Sequence, residues 1–348
     1  MAEKPRGKGL FSGKSILVTG GTGSFGHQIV DRLLKEGPAE IRVFSRDEDK
    51  QVRMSEEYGM VQQYPKKASM NFVIGDVRNP NSVREAMRGI DIVFHAAALK
   101  QVPLCEYHVW EAVQTNIIGA QNVIQAALEE EVEKVIAIST DKAVKPVNAM
   151  GMSKALQEKL FTAANFHRAQ KRTVFACVRY GNVVGSRGSV IPLFKRQIES
   201  GGPVTITDPE MTRFILTLPE AIDLVFRAVG KGLGGEVFVL KIPAALVMDI
   251  AQVMVETLAP KRGIPIRTIG IRPGEKIHEV LISEVEAVRT VEGDFTYTIL
   301  PQIDLHGGRP PRSGGKLVAF REYSSDTAQR LTKKEIASIL DRTGWLSI

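Results

Sequence analysis

Six short apolar runs, rich in β-branched residues, recur along the first half of the chain: SILVTGG, EIRVFSR, MNFVIGD, DIVFHAA, EKVIAIST and RTVFACVRYG. Stretches of helical periodicity separate them, and strands that alternate with helices predict βαβ units and a parallel sheet. The expected class is therefore α/β with a doubly wound parallel sheet. No internal repeat or low-complexity tract interrupts the pattern until Gly181, after which Gly/Pro-rich segments such as GSRGSVIPLF and GGPVTITDPEMTR predict a smaller second lobe. The segment FILTLPEAIDLVFRAV followed by GEVFVLK reads as a further helix and strand returning to the sheet, so the lobes are expected to interleave. The partition this gives is 12–182 plus 214–242 for the sheet unit and 183–213 plus 243–348 for the smaller lobe.

A chain of 348 residues can bury such a two-lobed core. Its two cysteines, Cys105 and Cys177, sit in apolar surroundings and provide no disulfide framework, and no Cys/His cluster has metal-site spacing. A cytoplasmic, metal-free protein is expected. The basic start MAEKPRGKGLFSGK lacks the apolar core of a signal peptide, and no run of about 18 apolar residues occurs, so no membrane association is expected. The net charge of +7 calls for an acidic partner. Because the basic residues are dispersed and aromatics make up only 6%, phosphorylated small molecules fit better than nucleic acid.

Candidate chemistry begins in ILVTGGTGSFGHQIV, where Gly20, Gly23 and Gly26 are spaced by three at the junction of a strand and a helix. A glycine trio alone can be an ordinary turn. At the first strand of a βαβ unit it lets the backbone approach a pyrophosphate at a helix N-terminus, which points to a dinucleotide. Thr22, Ser24 and Phe25 belong to the same loop, and Ala96 and Ala97, ending DIVFHAA, are placed on the cofactor as well. After the second strand the chain presents Ser45 and Arg46, with Lys50 one helical turn on. A guanidinium there suits a 2′-phosphate, so NADP is expected in preference to NAD. The alternative leaves Arg46 in solvent and gives the ribose to Asp47. Asp76 and Val77, at the end of the third strand, are candidates to contact adenine; a plain Asp turn is the other reading.

The fifth of the apolar runs, EKVIAIST, leads into STDKAVKPVNAMGMSK. A Ser/Thr, Tyr and Lys here would form a nicotinamide-enzyme triad, but Met150 occupies the Tyr position before Lys154. Asp141 and Lys142 project at the carboxyl edge of the sheet, where open α/β folds bind ligands, although adjacent opposite charges can also form a solvated turn. Lys154, on the next helix, is expected to hold the nicotinamide ribose beside them. Met150 is expected to pack, since a thioether neither gives nor takes a proton.

The blocks TGGTGSFG, FHAAALKQVPLCEYH, STDKAVKPVNAMGMSK, RYGNVVGSRGSVIPLF and TITDPEMTRF together closely resemble the extended short-chain dehydrogenase/reductases that act on nucleotide sugars. More narrowly, they are similar to the UDP-N-acetylglucosamine 4,6-dehydratases that invert C5 in capsule and surface-polysaccharide biosynthesis. The likeness runs from about Lys14 to about Arg330, loosely between Pro260 and Arg312 outside RPGEK. It implies a Rossmann fold and an internal redox cycle, in which hydride leaves sugar C4 for NADP, water is lost across C5 and C6, and hydride returns to C6. By the same resemblance Lys142 takes the C5 proton, Asp141 protonates the departing C6 hydroxyl and Thr140 bonds the C4 oxygen. An ammonium must lose its proton to act as base, which burial beside Lys154 and the cofactor ring is expected to favour. Met150 departs from the Tyr-containing members and matches a subgroup of the dehydratases; Asp141, Lys142 or a water held by Thr140 remain the candidates for removing the O4 proton.

The resemblance also assigns a UDP-sugar substrate. Lys100 is placed on the sugar or cofactor, Asn116 is the structural Asn of the superfamily, and Asn182 is placed on the diphosphate side. Val190 and Pro192 line the uridine pocket, Arg213 and Arg272 neutralise the pyrophosphate, and Glu275 of RPGEK holds the uridine ribose. His95 and His278 are read as structural. The resemblance further implies a homo-oligomer, a hexamer being one form. Two rivals stand beside the dehydratase: a UDP-hexose 4-epimerase, which normally relies on the absent Tyr, and a non-catalytic NADP-binding protein.

Overall fold

The computed structural model describes residues 9–60, 68–167, 172–186, 188–303 and 315–347. All six apolar runs form strands: β1 (Ser15–Thr19), β2 (Glu40–Ser45), β3 (Ser69–Ile74), β4 (Ile92–His95), β5 (Lys134–Ile138) and β6 (Val174–Arg179). Then follow β7 (Asn182–Val183), β8 (Val204–Ile206), β9 (Thr212–Leu216), β10 (Val237–Leu240) and β11 (Ala244–Leu246). The chain continues through β12 (Ile266–Thr268), β13 (Val280–Ile282), β14 (Thr290–Glu292), β15 (Thr296–Ile299), β16 (Lys316–Leu317) and β17 (Tyr323–Ser324).

Ten strands make the main sheet, in the order β16-β14-β15-β10-β6-β5-β4-β1-β2-β3. From β3 to β10 every pairing is parallel. The sheet is covered on both faces, so its strands carry apolar side chains without alternation. Ile16, Leu17, Val18, Val135 and Ile136 are all fully buried, each contributing about 1.5–3 kcal/mol of transfer free energy. Register then sets where the site is. Thr19 lies opposite Phe44 and His95, and His95 opposite Ala137, so the chain leaves these strands at one common edge. That edge straddles the point where strand order reverses, with β1 between β2 and β4.

The second lobe is built on β11-β9-β7 and on the β12-β8 pair. Its core joins Ile191, Phe194, Met254, Ile336 and Leu340. The helix Leu218–Lys231 and β10 return to the sheet as expected. The partition differs from the expected one at its C-terminal end: β14, β15 and β16 lie within 243–348, yet they extend the main sheet as antiparallel strands. Two polar ties fix the helix Ala149–His167, which carries Lys154. Arg179 bridges Glu158 of that helix (2.6 Å) and Glu286 (2.9 Å) in the interior. Asn148, just before the helix, accepts from the Gly151 amide (2.7 Å) and donates to the Gly274 carbonyl (2.8 Å), holding the RPGEK loop against it.

Candidate functional site

The loop after β1 is shaped by what its glycines exclude. Gly20 has φ +68°, and a Cβ there would lie 2.8 Å from the Ala97 amide nitrogen. A Cβ on Gly26 would collide with the backbone carbonyl of Gly21. Loop and helix therefore pack backbone on backbone, which only glycine permits. Gly23 and Ser24 are exposed at the start of the helix Ser24–Leu34, whose N-terminal position Gly23 has no side-chain cap. Amides left without capping partners at a helix start suit an anion, so the cradle fits a dinucleotide pyrophosphate. The Thr22 and Ser45 hydroxyls are 2.8 Å apart, tying the loop to the end of β2, and Phe25 stacks on Tyr180. Ala96 and Ala97 are drawn to β1 by Thr19, whose carbonyl accepts from the Ala96 amide and whose hydroxyl accepts from the Ala97 amide.

Beyond β2, Arg46 is half exposed and 3.6 Å from Asp76. Burial pushes the Asp76 carboxyl up, but hydrogen bonds and charge from Arg78 outweigh it and hold it below its ordinary value. Lys50 pairs with Asp47. Val77 is buried against Gly119, and its carbonyl accepts from Asn122 (2.9 Å). That packing leaves little of the Val77 side chain at the surface.

Thr140 caps the short turn Asp141–Ala143 and donates to Asp141 Oδ1 (2.9 Å). Lys142 Nζ donates to the same oxygen at 3.0 Å and lies 3.5 Å from Glu279 Oε1. Asp141 is fully buried, and its Oδ2 has no partner. Burial raises its carboxyl above the ordinary value against the opposing charge of Lys142, and Glu279 raises it further. For Lys142 burial acts downward, yet Asp141 and Glu279 together raise it above the ordinary lysine value. This corrects the expectation of a Lys142 that readily sheds its proton. The two carboxylates facing it outweigh the opposing charge of Arg213.

A depressed lysine beside this turn is Lys154. Its Nζ donates to the Ile138 carbonyl (2.6 Å) and to Gln157, and burial lowers it to about 8. The charges acting on it are those of Glu158 and Cys177, not Lys142. His95 is buried beside it, its Nδ1 2.9 Å from the Thr19 hydroxyl, and burial lowers it to about 3. Met150 is 3% exposed and packs with Cys105 and Ala112. Ser153, on the same turn, is tied to Asn116, which also grips both backbone groups of Leu99.

The residues expected to meet the substrate divide into two sets. Arg272 and Lys100 are exposed, Asn182 has an unpartnered Oδ1, and Val190 and Pro192 open a helix at half-buried positions. Glu275 Oε2 accepts from the Arg272 amide (3.4 Å), shaping the loop. Arg213, in contrast, is 8% exposed: its guanidinium donates to the carbonyls of Thr212, Ile277 and Lys276 and lies 3.8 Å from Glu279. Its expected pyrophosphate role is corrected accordingly, because its donors face inward. Glu279 was missed from sequence. It is 3% exposed with an unpartnered Oε2, and although burial pushes it up, Lys142 and Arg213 hold it below its ordinary value. The only signal was a Glu three residues after RPGEK.

Comparison with known proteins places this geometry in a family. A protein of Methanocaldococcus jannaschii described as an uncharacterized membrane protein is 45% identical over 97% of this chain and 98% of its own. Among the described residues, no helix is long and apolar enough to cross a membrane. A UDP-glucose 4-epimerase of Rickettsia akari is 46% identical over 95% of this chain and 96% of its own. The X-ray structure of Pen from Bacillus thuringiensis superposes with a TM-score of 0.86 at 39% identity, covering 96% of this chain and 99% of that one. The fold extends to DesIV, a dTDP-glucose 4,6-dehydratase from Streptomyces venezuelae solved with NAD, at 20% identity and TM-score 0.64 over 76% of this chain and 86% of that one. A family model described as polysaccharide biosynthesis protein matches residues 16–301. This chain therefore belongs to the polysaccharide biosynthesis protein family, and relatives that it matches over nearly its whole length are named UDP-glucose 4-epimerase.

Proposed function

We propose that the protein is a C5-inverting UDP-N-acetylglucosamine 4,6-dehydratase that binds NADP and makes a UDP-4-keto-6-deoxy-N-acetylhexosamine for surface polysaccharides, as a cytoplasmic homo-oligomer. The observation that carries this reading is the ion pair of buried Asp141 with part-buried Lys142 at the switch-point edge, in a chain whose Met150 is packed into an apolar cluster. Elimination needs a base for the C5 proton and an acid for the departing C6 hydroxyl. Transfer of one proton across the 3.0 Å Lys142–Asp141 hydrogen bond turns the ion pair into a neutral amine and a neutral carboxylic acid. The amine then takes the C5 proton while the carboxylic acid gives its proton to the C6 oxygen, which leaves as water. Lys142 ends as an ammonium and Asp141 as a carboxylate, so the pair is restored.

The nicotinamide, when bound, supplies the oxidation at C4 that acidifies the C5 proton and the later reduction at C6. Gly20, Gly23 and Gly26 form the cradle for its pyrophosphate, and Ser45, Arg46 and Lys50 stand where the adenosine ribose would be read. NADP is favoured by Arg46; DesIV, which holds NAD, supports the alternative. Lys154, near neutrality, bonds the nicotinamide ribose. Thr140 holds the C4 oxygen, Arg272 meets the UDP pyrophosphate, Glu275 the uridine ribose, and Asn182, Val190 and Pro192 the remaining nucleotide, with Lys100 on the sugar.

The second reading is a UDP-hexose 4-epimerase, favoured by the name of the Rickettsia relatives. Against it stand the absent Tyr and an acid/base pair that epimerisation does not need. Incubation with UDP-N-acetylglucosamine separates them. The dehydratase yields a product lighter by one water, the epimerase yields an isomer of equal mass, and an unchanged substrate defeats both.

A further inference from the structure

Lys142 lies between two carboxylates, and only one of them belongs to the acid/base pair. Glu279 lies immediately before β13, which pairs with β17, and is fixed by its backbone: its amide donates to the Ser325 hydroxyl (2.9 Å) and its carbonyl accepts from the Ser325 amide (2.8 Å). Its Oε1 is 3.5 Å from Lys142 Nζ and 3.8 Å from Arg213 Nε, while Oε2 is buried without a partner. Asp141 Oδ2 is likewise buried and unpartnered. A buried carboxylate with an unused oxygen is costly unless cations hold it there.

We infer that Glu279 is a positioning residue for the acid/base pair: its carboxylate, anchored through Ser325 and backed by Arg213, holds the Lys142 ammonium and keeps a fixed negative charge beside Asp141. The inference rests on the dehydratase reading for its consequence in turnover, but not for its charge arrangement. The groups facing Glu279 are Lys142 and Asp141 from the turn after β5, Arg213 from β9, and Lys276 from its own loop. Lys276 is itself tied to the Val144 carbonyl (2.6 Å), and burial lowers it, so it supplies a weaker counter-charge than Lys142.

The consequence has a definite sign. A negative Glu279 makes both Lys142 and Asp141 hold their protons more strongly. When Lys142 takes the C5 proton, the ammonium it becomes is stabilised by a charge already in place. Removing that charge lowers the proton affinity of both partners, so both limbs of a pH profile move the same way.

The test compares wild type with Glu279→Gln, which keeps shape and removes charge. The kcat–pH profile for water loss from UDP-N-acetylglucosamine is expected to move to lower pH on both limbs, with kcat reduced by about 10²-fold, the scale of misplacing a reacting group. KM is expected to stay within a few-fold. A reduced kcat on unmoved limbs would mean a merely structural role and overturn the inference. Titration of the lysine ammonium resonances in ¹⁵N-lysine-labelled protein reads the same charge without any reaction, so it stands even where no product forms and the dehydratase reading itself fails. Lys142 is expected to lose its proton at lower pH in Glu279→Gln than in wild type, and identical titrations would overturn the inference. If that variant does not fold, Glu279→Asp, which keeps the charge but withdraws it from Lys142, is titrated instead: Lys142 is expected to lose its proton at lower pH than in wild type, and an identical titration would overturn the inference.

Discussion

Replacing Lys142 by alanine strips the cation from a pocket that holds two buried carboxylates. The residue is in contact with Asp141 at 3.0 Å and Glu279 at 3.5 Å, and its side chain is only a quarter exposed. Removing one partner of a buried pair typically costs about 3–5 kcal/mol, and the partial exposure of Lys142 puts the expected loss near the lower end, about 3 kcal/mol at pH 8. The loss must depend on pH. In the wild type Glu279 sits below its ordinary value of 4.5, so its ionised form contributes stability above that value, lost as pH falls through the depressed one. Without Lys142 only Arg213 and Lys276 remain to oppose burial, so Glu279 shifts upward and that contribution disappears. Asp141, already raised, rises further, since Lys142 was its main counter-charge. Urea unfolding at pH 5 and pH 8 therefore gives a smaller wild-type-minus-variant difference at the acid end. Exchange of the substrate C5 proton with deuterated solvent should cease in the same variant, with rate lost by about 10²–10⁴-fold. A difference below about 1 kcal/mol at both pH values, or one larger at pH 5, would refute the charge arrangement.

Three further substitutions probe the rest of the account. Gly26→Ala drives a methyl into the Gly21 carbonyl, so the protein should lose about 1–3 kcal/mol in thermal unfolding and bind dinucleotide more weakly in a titration. Arg46→Ala should weaken NADP by about tenfold to a hundredfold while leaving NAD little changed, and equal losses for both cofactors would count against Arg46 as the discriminator. Met150→Tyr puts a larger ring into the Cys105–Ala112 cluster; stability should fall by about 1–3 kcal/mol and turnover should not rise, measured by product formation against the wild type.

How much of this was legible from sequence depended on the range of the interactions involved. The six parallel strands and the glycine loop announce themselves locally, because buried β-branched runs and a three-residue glycine spacing need no distant partner to be recognised. The strands Thr290–Glu292 and Thr296–Ile299 did not, being three and four residues long and joined by a tight turn at Gly293, too short to show a period. The pairing of Thr296–Ile299 with β10, and of Thr290–Glu292 with that strand in turn, is a tertiary fact. The same holds within the site. Asp141 and Lys142 are adjacent in sequence, so their pairing is legible there, but the charge on Lys142 is not, because Glu279 lies more than 130 residues further along the chain and its carboxylate looks like any other in KIHEVLI. Arg213 shows the converse: a motif arginine expected to face a ligand is turned inward by three backbone carbonyls that no sequence pattern displays.

The central claim is that one sugar is oxidised, dehydrated and reduced within a single site, with Asp141 and Lys142 as acid and base. Tracing a deuterium placed at C4 of UDP-N-acetylglucosamine tests it most directly. The account predicts a product lighter by one water, with the deuterium now on C6 and no net consumption of nicotinamide cofactor. A label that stays at C4 in a product of unchanged mass, or is washed out as reduced cofactor accumulates, would contradict it.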